Sequence, residues 1–128
     1  MAPPPARLKT RGEFLRVAAS RARFVAPGFI LQAAAHSPGE GPARPFRVGF
    51  TASRKVGGAV VRNRARRRLK ALAAEVMRER APQGWDFVLV ARAETPRAPW
   101  RGMVTDLARA IDRLTAARRR PAGPASEG

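Results

Sequence analysis

The hydrophobic and polar positions of the chain follow two different periods along its middle part. Residues 46–53, F-R-V-G-F-T-A-S, alternate between apolar residues and polar or small ones, which is typical of a strand with one face in the core and one polar face. Residues 59–80 place apolar side chains at helical spacing, which predicts a long helix that the following A-P-Q-G ends. The run W-D-F-V-L-V-A-R at 85–92 is apolar almost throughout, as in a strand buried on both faces. The pattern therefore predicts a strand, a helix and a strand in succession.

Weaker patterns on both sides add three further elements. Thr10, followed three residues later by Glu13, fits a capping box and predicts a short helix at 11–20. The run G-F-I-L-Q-A-A-A-H at 28–36 predicts a strand, and the large apolar residues of 99–117 recur at helical spacing. The predicted order is α-β-β-α-β-α, which indicates an α+β fold in the form of a single-domain α/β sandwich.

The two ends of the chain differ in composition from the rest. Residues 1–8 and 118–128 are rich in Pro, Gly, Ala and Arg, and we expect them to be disordered tails. The folded domain is then predicted at 9–117, which is long enough for one modest core.

The net charge of the chain points to the class of its partner. The 26 Lys and Arg residues against 9 Asp and Glu give a charge of +17, which favours a polyanion, either nucleic acid or an anionic membrane surface. There is no cysteine, so disulfides and thiolate zinc sites are excluded. No apolar run reaches membrane-spanning length and the N-terminus lacks the apolar segment of a signal peptide, so we expect a cytoplasmic protein that does not enter the membrane.

The long predicted helix carries the most concentrated charge. Six of the nine residues from Arg62 to Lys70 are cationic, and no carboxylate lies among them. On a helical wheel the apolar residues form one stripe of Val61, Ala65, Leu69, Leu72 and Val76. The cations sit three or four residues apart in five pairs, 62–66, 64–67, 64–68, 66–70 and 67–70. At about 0.2–0.5 kcal/mol each these pairs cost about 1–2.5 kcal/mol in low salt. Phosphates explain such a cluster better than solvent does, and the Arg-rich face beside a narrow apolar stripe favours nucleic acid over a membrane.

The residues needed for protein-based catalysis are sparse. The sole histidine, His36, ends a predicted strand beside a loop, and we expect it at the surface rather than in catalysis. The acids are scattered, and no Gly-rich loop followed by G-K-[ST] occurs. The sequence therefore predicts no catalytic and no metal-binding residue in this chain.

The segment R-V-G-F-T-A-S-R-K-V-G-G-A-V-V-R-N-R-A-R-R-R-L at 47–69 strongly resembles the signature of the bacterial ribonuclease P protein family. Similar segments of that family correspond to R-L-K-T-R-G-E-F at 7–14 and D-F-V-L-V-A-R at 86–92, so the resemblance covers about 7–116. It implies a mixed sheet with a left-handed β-α-β crossover, a hand that is rare among such units. It also implies a ribonucleoprotein in which the RNA performs the cleavage and this chain is an accessory subunit of the endoribonuclease.

The resemblance and the cationic run together predict one RNA-binding surface. Its residues are Arg54, Lys55, Arg62, Asn63, Arg64, Arg66, Arg67, Arg68 and Lys70. The Asn63 amide offers both a donor and an acceptor, so it could accept from a metal-bound water or a 2′-hydroxyl. Gly57 and Gly58 are predicted to form a tight turn, with close approach to a phosphate as the functional alternative to a plain turn.

The resemblance also implies a cleft between the first helix and the sheet that contacts the 5′ leader of precursor tRNA. Phe14 matches one aromatic position of that cleft, whereas Ala18 and Gln32 occupy positions where further aromatic residues are expected. Base stacking is therefore predicted to be weak, and leader binding to depend more on charge, with Arg16 and Arg47 as contacts.

The implied partners are the catalytic RNA subunit and precursor tRNA. The protein is expected to hold no cofactor itself, whereas the RNA-containing holoenzyme is expected to require magnesium. Two other readings stay open: a structural RNA-binding protein, such as a ribosomal protein or RNA chaperone, and, less well supported, a basic transcriptional regulator, although no helix-turn-helix pattern is evident. We expect a monomer in isolation.

Overall fold

The computed structural model describes residues 5–36 and 44–119, with side chains described up to residue 116. Its elements are β1 (Ala6–Arg7), α1 (Arg11–Ala19), β2 (Arg23–Ala26), β3 (Phe29–Ala35), β4 (Arg47–Thr51), α2 (Ala59–Arg80), β5 (Trp85–Val90) and α3 (Trp100–Arg119), with a 3-10 turn at Arg54–Val56. The three predicted helices and the three predicted strands are all present within a residue or two of their expected bounds. The α+β class is confirmed.

The five strands form one mixed sheet in the order β1-β4-β5-β3-β2. The pairs β1–β4 and β4–β5 are parallel, whereas β3 runs antiparallel to both β5 and β2. Because β4 and β5 are adjacent and parallel, α2 is the crossover helix between them. The residue pattern predicted this succession of strand, helix and strand, and the family resemblance implied the mixed sheet.

Helices cover both faces of the sheet, so the strands lie between two apolar layers. The larger core joins α2 and α3 to one face through side chains such as Leu69, Leu107 and Phe87. The smaller core joins α1 to the other face, where Val17 packs with Val88. The alternating strand was predicted to have one polar face, and that part of the prediction is wrong at Gly49, which is buried beneath α1.

Gly49 shows how closely α1 approaches β4. A methyl group added at this position would collide with the Phe14 ring. The absence of a side chain at Gly49 therefore lets the first helix lie flat on the sheet. The helix itself begins as predicted, since Thr10 and Glu13 form a reciprocal capping box.

Two short strands at the edges of the sheet were not predicted. In β2 a polar residue, Arg23, and an apolar residue, Val25, are both exposed, so the alternation of polar and apolar residues that marks a strand is obscured. β1 lies inside the predicted tail at 1–8, yet it pairs with β4, and the adjacent Leu8 is buried. At the other end, α3 continues through residues 118–119, where a tail was predicted to start. Residues 1–4 and 120–128 of the two predicted tails lie outside the described residues.

Candidate nucleic-acid interface

The segment between β4 and α2 turns sharply so that the long helix starts beside exposed cations. Gly57 has a φ of 148°, in the region that favours glycine, which supports the predicted tight turn. The helix then begins at the N-cap Gly58, which provides no side-chain cap for the first amides. Arg54 and Lys55 of the preceding 3-10 turn are exposed next to this helix end. Free amide donors and two cations therefore lie together.

The N-terminal half of α2 presents its charge to solvent. Arg64, Arg67 and Lys70 are exposed, while Arg62 and Arg66 are partly buried. Among the described residues, no carboxylate forms an ion pair with any of these five cations. We call these five residues the α2 cationic face.

The opposite side of α2 packs into the core almost as predicted. Ala65, Leu69, Leu72 and Val76 are buried. Val61, predicted as part of the same stripe, is instead exposed, because the first turn of α2 extends past the edge of the core. The core contact of this helix therefore begins one turn later than its periodicity suggests.

Asn63 makes a contact within the same helix. Its Oδ1 accepts a hydrogen bond of 2.7 Å from a guanidinium nitrogen of Arg66. In this arrangement the amide oxygen keeps one lone pair and the amide NH2 keeps both donors, so Asn63 can still accept from or donate to a ligand.

Arg68 differs from the other cations predicted to bind RNA. Its Nη1 donates to the carbonyl oxygens of Thr95 and Ala98, at 2.7 and 2.8 Å, and its guanidinium lies 5.4 Å from the centre of the Trp100 ring. These contacts hold the loop that leads into α3. RNA binding by Arg68 stays a prediction, and in this structure its guanidinium braces the protein's own backbone.

A second cluster of charges lies on the other face of the sheet, under α1. Asp86 is fully buried on β5, and its carboxylate accepts two hydrogen bonds from Arg47, of 2.9 and 2.7 Å. Arg16 donates to the same carboxylate at 2.5 Å, and Nε2 of His36 lies 2.9 Å from Oδ1. Arg47 also pairs with Glu13 at 2.8 Å. We call these five residues the Asp86 cluster.

The Asp86 cluster bears on two predictions. The contact of Arg16 and Arg47 with the tRNA leader stays a prediction, and both side chains are paired with carboxylates of this chain. His36 was expected at the surface, but its side chain is 10% exposed and rests against Asp86. The register explains the pairing with Arg47, because β5 places Asp86 directly beside Arg47 of β4.

The environment of the two carboxylates shifts their ionisation. Burial acts to raise the pKa of Asp86, but the hydrogen bonds from Arg47, His36 and Arg16 outweigh it and hold the pKa below its usual value. The backbone amides of Lys9 and Thr10 are the main cause that lowers the pKa of Glu13. Both groups are therefore stabilised as carboxylates.

The remaining predicted cleft residues lie near the ends of α1. The Phe14 ring is partly buried over Gly49. Gln32 lies in a depression at the other end of α1, together with Ala18, Arg21, Ala22 and Arg23. Arg21 and Arg23 are exposed and were missed by the sequence reasoning. The sequence R-A-R at 21–23 could have pointed to them, because it lies between a predicted helix and a predicted strand and neither cation has an acid nearby in the sequence.

Neither a cluster of metal ligands nor a membrane-spanning helix occurs in the described part of the chain. No group of three or more His, Cys, Asp or Glu residues there could hold a metal ion. No helix there is long and apolar enough to cross a membrane.

A mixed sheet with a parallel crossover, whose helix carries a cationic face without a described carboxylate partner, defines a small basic domain of the RNA-binding class. The family model described as Ribonuclease P matches residues 2–115. The chain belongs to this family, as a relative of its protein components.

Curated relatives agree with the family model. The chain is 46% identical over 121 residues to the ribonuclease P protein component of Paramagnetospirillum magneticum. The matched region covers 94% of this chain and 91% of the relative. It is 44% identical over 110 residues to that of Ruegeria pomeroyi, with 85% and 86% covered.

Solved structures confirm the fold. The ribonuclease P protein from Thermotoga maritima superposes with a TM-score of 0.66 at 22% identity, covering 84% of this chain and 96% of that one. The Staphylococcus aureus protein gives a TM-score of 0.63 at 20% identity, covering 83% and 92%.

Proposed function

We propose that this chain is the protein component of a ribonuclease P, which binds the catalytic RNA and promotes maturation of the 5′ end of tRNA. The assignment to ribonuclease P rests on the names of the relatives, and the assignment of RNA binding rests on the α2 cationic face. The holoenzyme is an endoribonuclease, and the chain is its accessory subunit.

The observation that carries the proposal is the α2 cationic face. Like charges at helical spacing repel one another and destabilise the free protein. Phosphates of a bound RNA neutralise them, and the released counterions favour binding. Since no described carboxylate performs that task, RNA is the partner that this surface fits best.

The second part of the proposal is that RNA, not protein, performs the cleavage. Asp86 is buried and shared among three donors, and Glu13 is held by backbone amides and Arg47. Neither is therefore free to act as a metal ligand or a general base. The magnesium that phosphodiester cleavage requires is accordingly proposed to bind the RNA.

The leader of precursor tRNA is proposed to contact the α1 side of the sheet. There, Phe14 offers a partly exposed ring, and the depression around Gln32 is flanked by the exposed cations Arg21 and Arg23. Arg21 and Arg23 take the place of Arg16 and Arg47 as the expected phosphate contacts, because the latter pair is neutralised within the protein.

Reconstitution tests the function directly. The purified chain is added to its cognate catalytic RNA at low magnesium, and cleavage of precursor tRNA is measured against RNA alone. We expect faster cleavage at the mature 5′ end. An unchanged rate, with the RNA still bound, would favour a structural RNA-binding protein instead.

Two matched variants assign the effect to the proposed surface. The double variant Arg64→Ala/Arg67→Ala removes two exposed cations of α2, and Arg101→Ala/Arg109→Ala removes two exposed cations of α3. We expect the α2 double to lose much of the enhancement and the α3 double to retain it. Equal losses would show that only the total charge matters.

A further inference from the structure

A small groove lies at the β1 edge of the sheet, on the face that packs against α2. Its lining includes Arg7, Val48, Phe50, Lys70, Ala73 and Ala74, and its volume is about 230 Å³. That volume is below the range of about 300–1,000 Å³ that accommodates drug-sized ligands, and it suits a single flat ring system. The groove lies on the opposite face of the sheet from α1 and the Asp86 cluster.

Small residues and a short strand create this groove. α2 contributes alanines at positions 73 and 74, so the helix leaves space above β4. β1 is only two residues long and therefore covers little of the sheet edge. The floor is apolar, since Val48 is buried and Phe50 packs against the main core.

Cations stand at the rim of the apolar floor. The Arg7 guanidinium lies 4.9 Å from the centre of the Phe50 ring, a contact that places Arg7 at one wall of the groove. Lys70 stands at the α2 wall. A nucleobase can stack on aromatic rings and on guanidinium planes, and its phosphate pairs with an ammonium group.

The α2 cationic face leads directly into the groove. Arg62, Arg66 and Lys70 are spaced four residues apart and so follow one side of the helix in steps of about 6 Å. The last of them, Lys70, belongs to both the cationic face and the groove. An RNA strand whose phosphates follow this side of α2 would therefore bring a base to the groove.

We propose that the groove binds one unpaired nucleotide of the catalytic RNA subunit, with its base against Phe50 and Ala74, over the buried Val48, and its phosphate near Lys70. This inference rests on the proposed function for the identity of the RNA. The RNA subunit is favoured over the tRNA leader because the groove continues the α2 cationic face, whereas the leader is assigned to the other face of the sheet.

Nucleotide titration of the full chain tests the groove without any cleavage assay. Methyl signals of Val48 and Ala74 are followed by NMR while adenosine monophosphate or ribose 5-phosphate is added. We expect adenosine monophosphate to shift these methyls and ribose 5-phosphate to leave them in place. Equal shifts with both, or shifts confined to residues near Phe14, would overturn the proposal.

A filled groove tests the source of the nucleotide. Ala74→Leu occupies the space without changing charge, and Ala71→Leu makes the same change at an exposed position of the same helix. Because base stacking adds to the affinity, we expect Ala74→Leu to weaken binding of the cognate RNA subunit about tenfold, and Ala71→Leu to leave it unchanged. The dependence of precursor binding on leader length should be the same in both variants.

The two proposals fail in different ways. Methyl shifts with adenosine monophosphate, in a chain that does not enhance cleavage, would overturn the proposed function and leave the nucleotide groove standing. Enhanced cleavage together with undiminished RNA affinity in Ala74→Leu would overturn the groove and leave the function standing.

Discussion

Two groups of arginines in this chain differ in what neutralises them. In the Asp86 cluster, Arg16 and Arg47 share a buried carboxylate of the same chain. On the α2 cationic face, Arg64 and Arg67 are exposed, and no described carboxylate pairs with them. In the first region the cations are paired with carboxylates of the free protein. In the second region the cations are neutralised only when an anion binds. A net charge of +17 counts both alike, although only the second lacks a described carboxylate partner.

The largest expected effect comes from removing the carboxylate at the centre of the first region. Asp86→Ala leaves Arg16 and Arg47 without their shared partner, and breaking a buried ion pair in this way should lower the free energy of unfolding by about 3 kcal/mol. Urea denaturation measures this loss. The control is Asp112→Ala, which breaks an ion pair with Arg80 that is about half exposed and should cost less than about 1 kcal/mol. Similar losses in both variants would show that Asp86 is not the centre of the cluster.

The same carboxylate should make stability depend on acid. Its pKa is lowered in the folded protein, so its contribution is fully present above the unfolded value of about 4 and is lost as the pH falls through the folded value. Asp86→Asn cannot titrate, so its free energy of unfolding should fall less steeply below pH 4 than that of the wild type. Some slope should remain, because the pKa of Glu13 is lowered as well. Parallel curves for the two proteins would contradict this account.

A smaller loss is expected from Arg68, which lies on the α2 helix but behaves like the first region. Arg68→Ala removes two hydrogen bonds from a charged donor to the carbonyls of Thr95 and Ala98, and should destabilise the fold by about 2 kcal/mol. The neighbouring Arg67→Ala should leave thermal stability unchanged or slightly raised. If the two variants unfold alike, Arg68 belongs with the free cations after all.

The sequence foresaw elements whose cause is local and missed features that depend on distant partners. The capping box of α1 and the periodicity of α2 are local, and both were predicted correctly. β1 and β2 exist because they pair with β4 and β3, and no short pattern signals such edge strands. In the same way, Arg47 and Asp86 are 39 residues apart in the chain and meet only through the register of two parallel strands.

The smallest expected change in stability distinguishes the two regions best, because it should be an increase in the free energy of unfolding. Arg64→Ala/Arg67→Ala removes the like-charge pairs 64–67, 64–68 and 67–70, and should raise the free energy of unfolding by about 1 kcal/mol in low salt. The same variant should bind RNA more weakly, and the slope of log affinity against log salt should fall by about 0.7–0.9 for each phosphate that the variant no longer neutralises. The α3 double variant Arg101→Ala/Arg109→Ala should alter neither the stability nor the salt slope appreciably. If the protein gains stability when these cations are removed, the fold itself does not require them. A lower free energy of unfolding in the α2 double variant would instead mean that these cations serve the fold as Arg47 does.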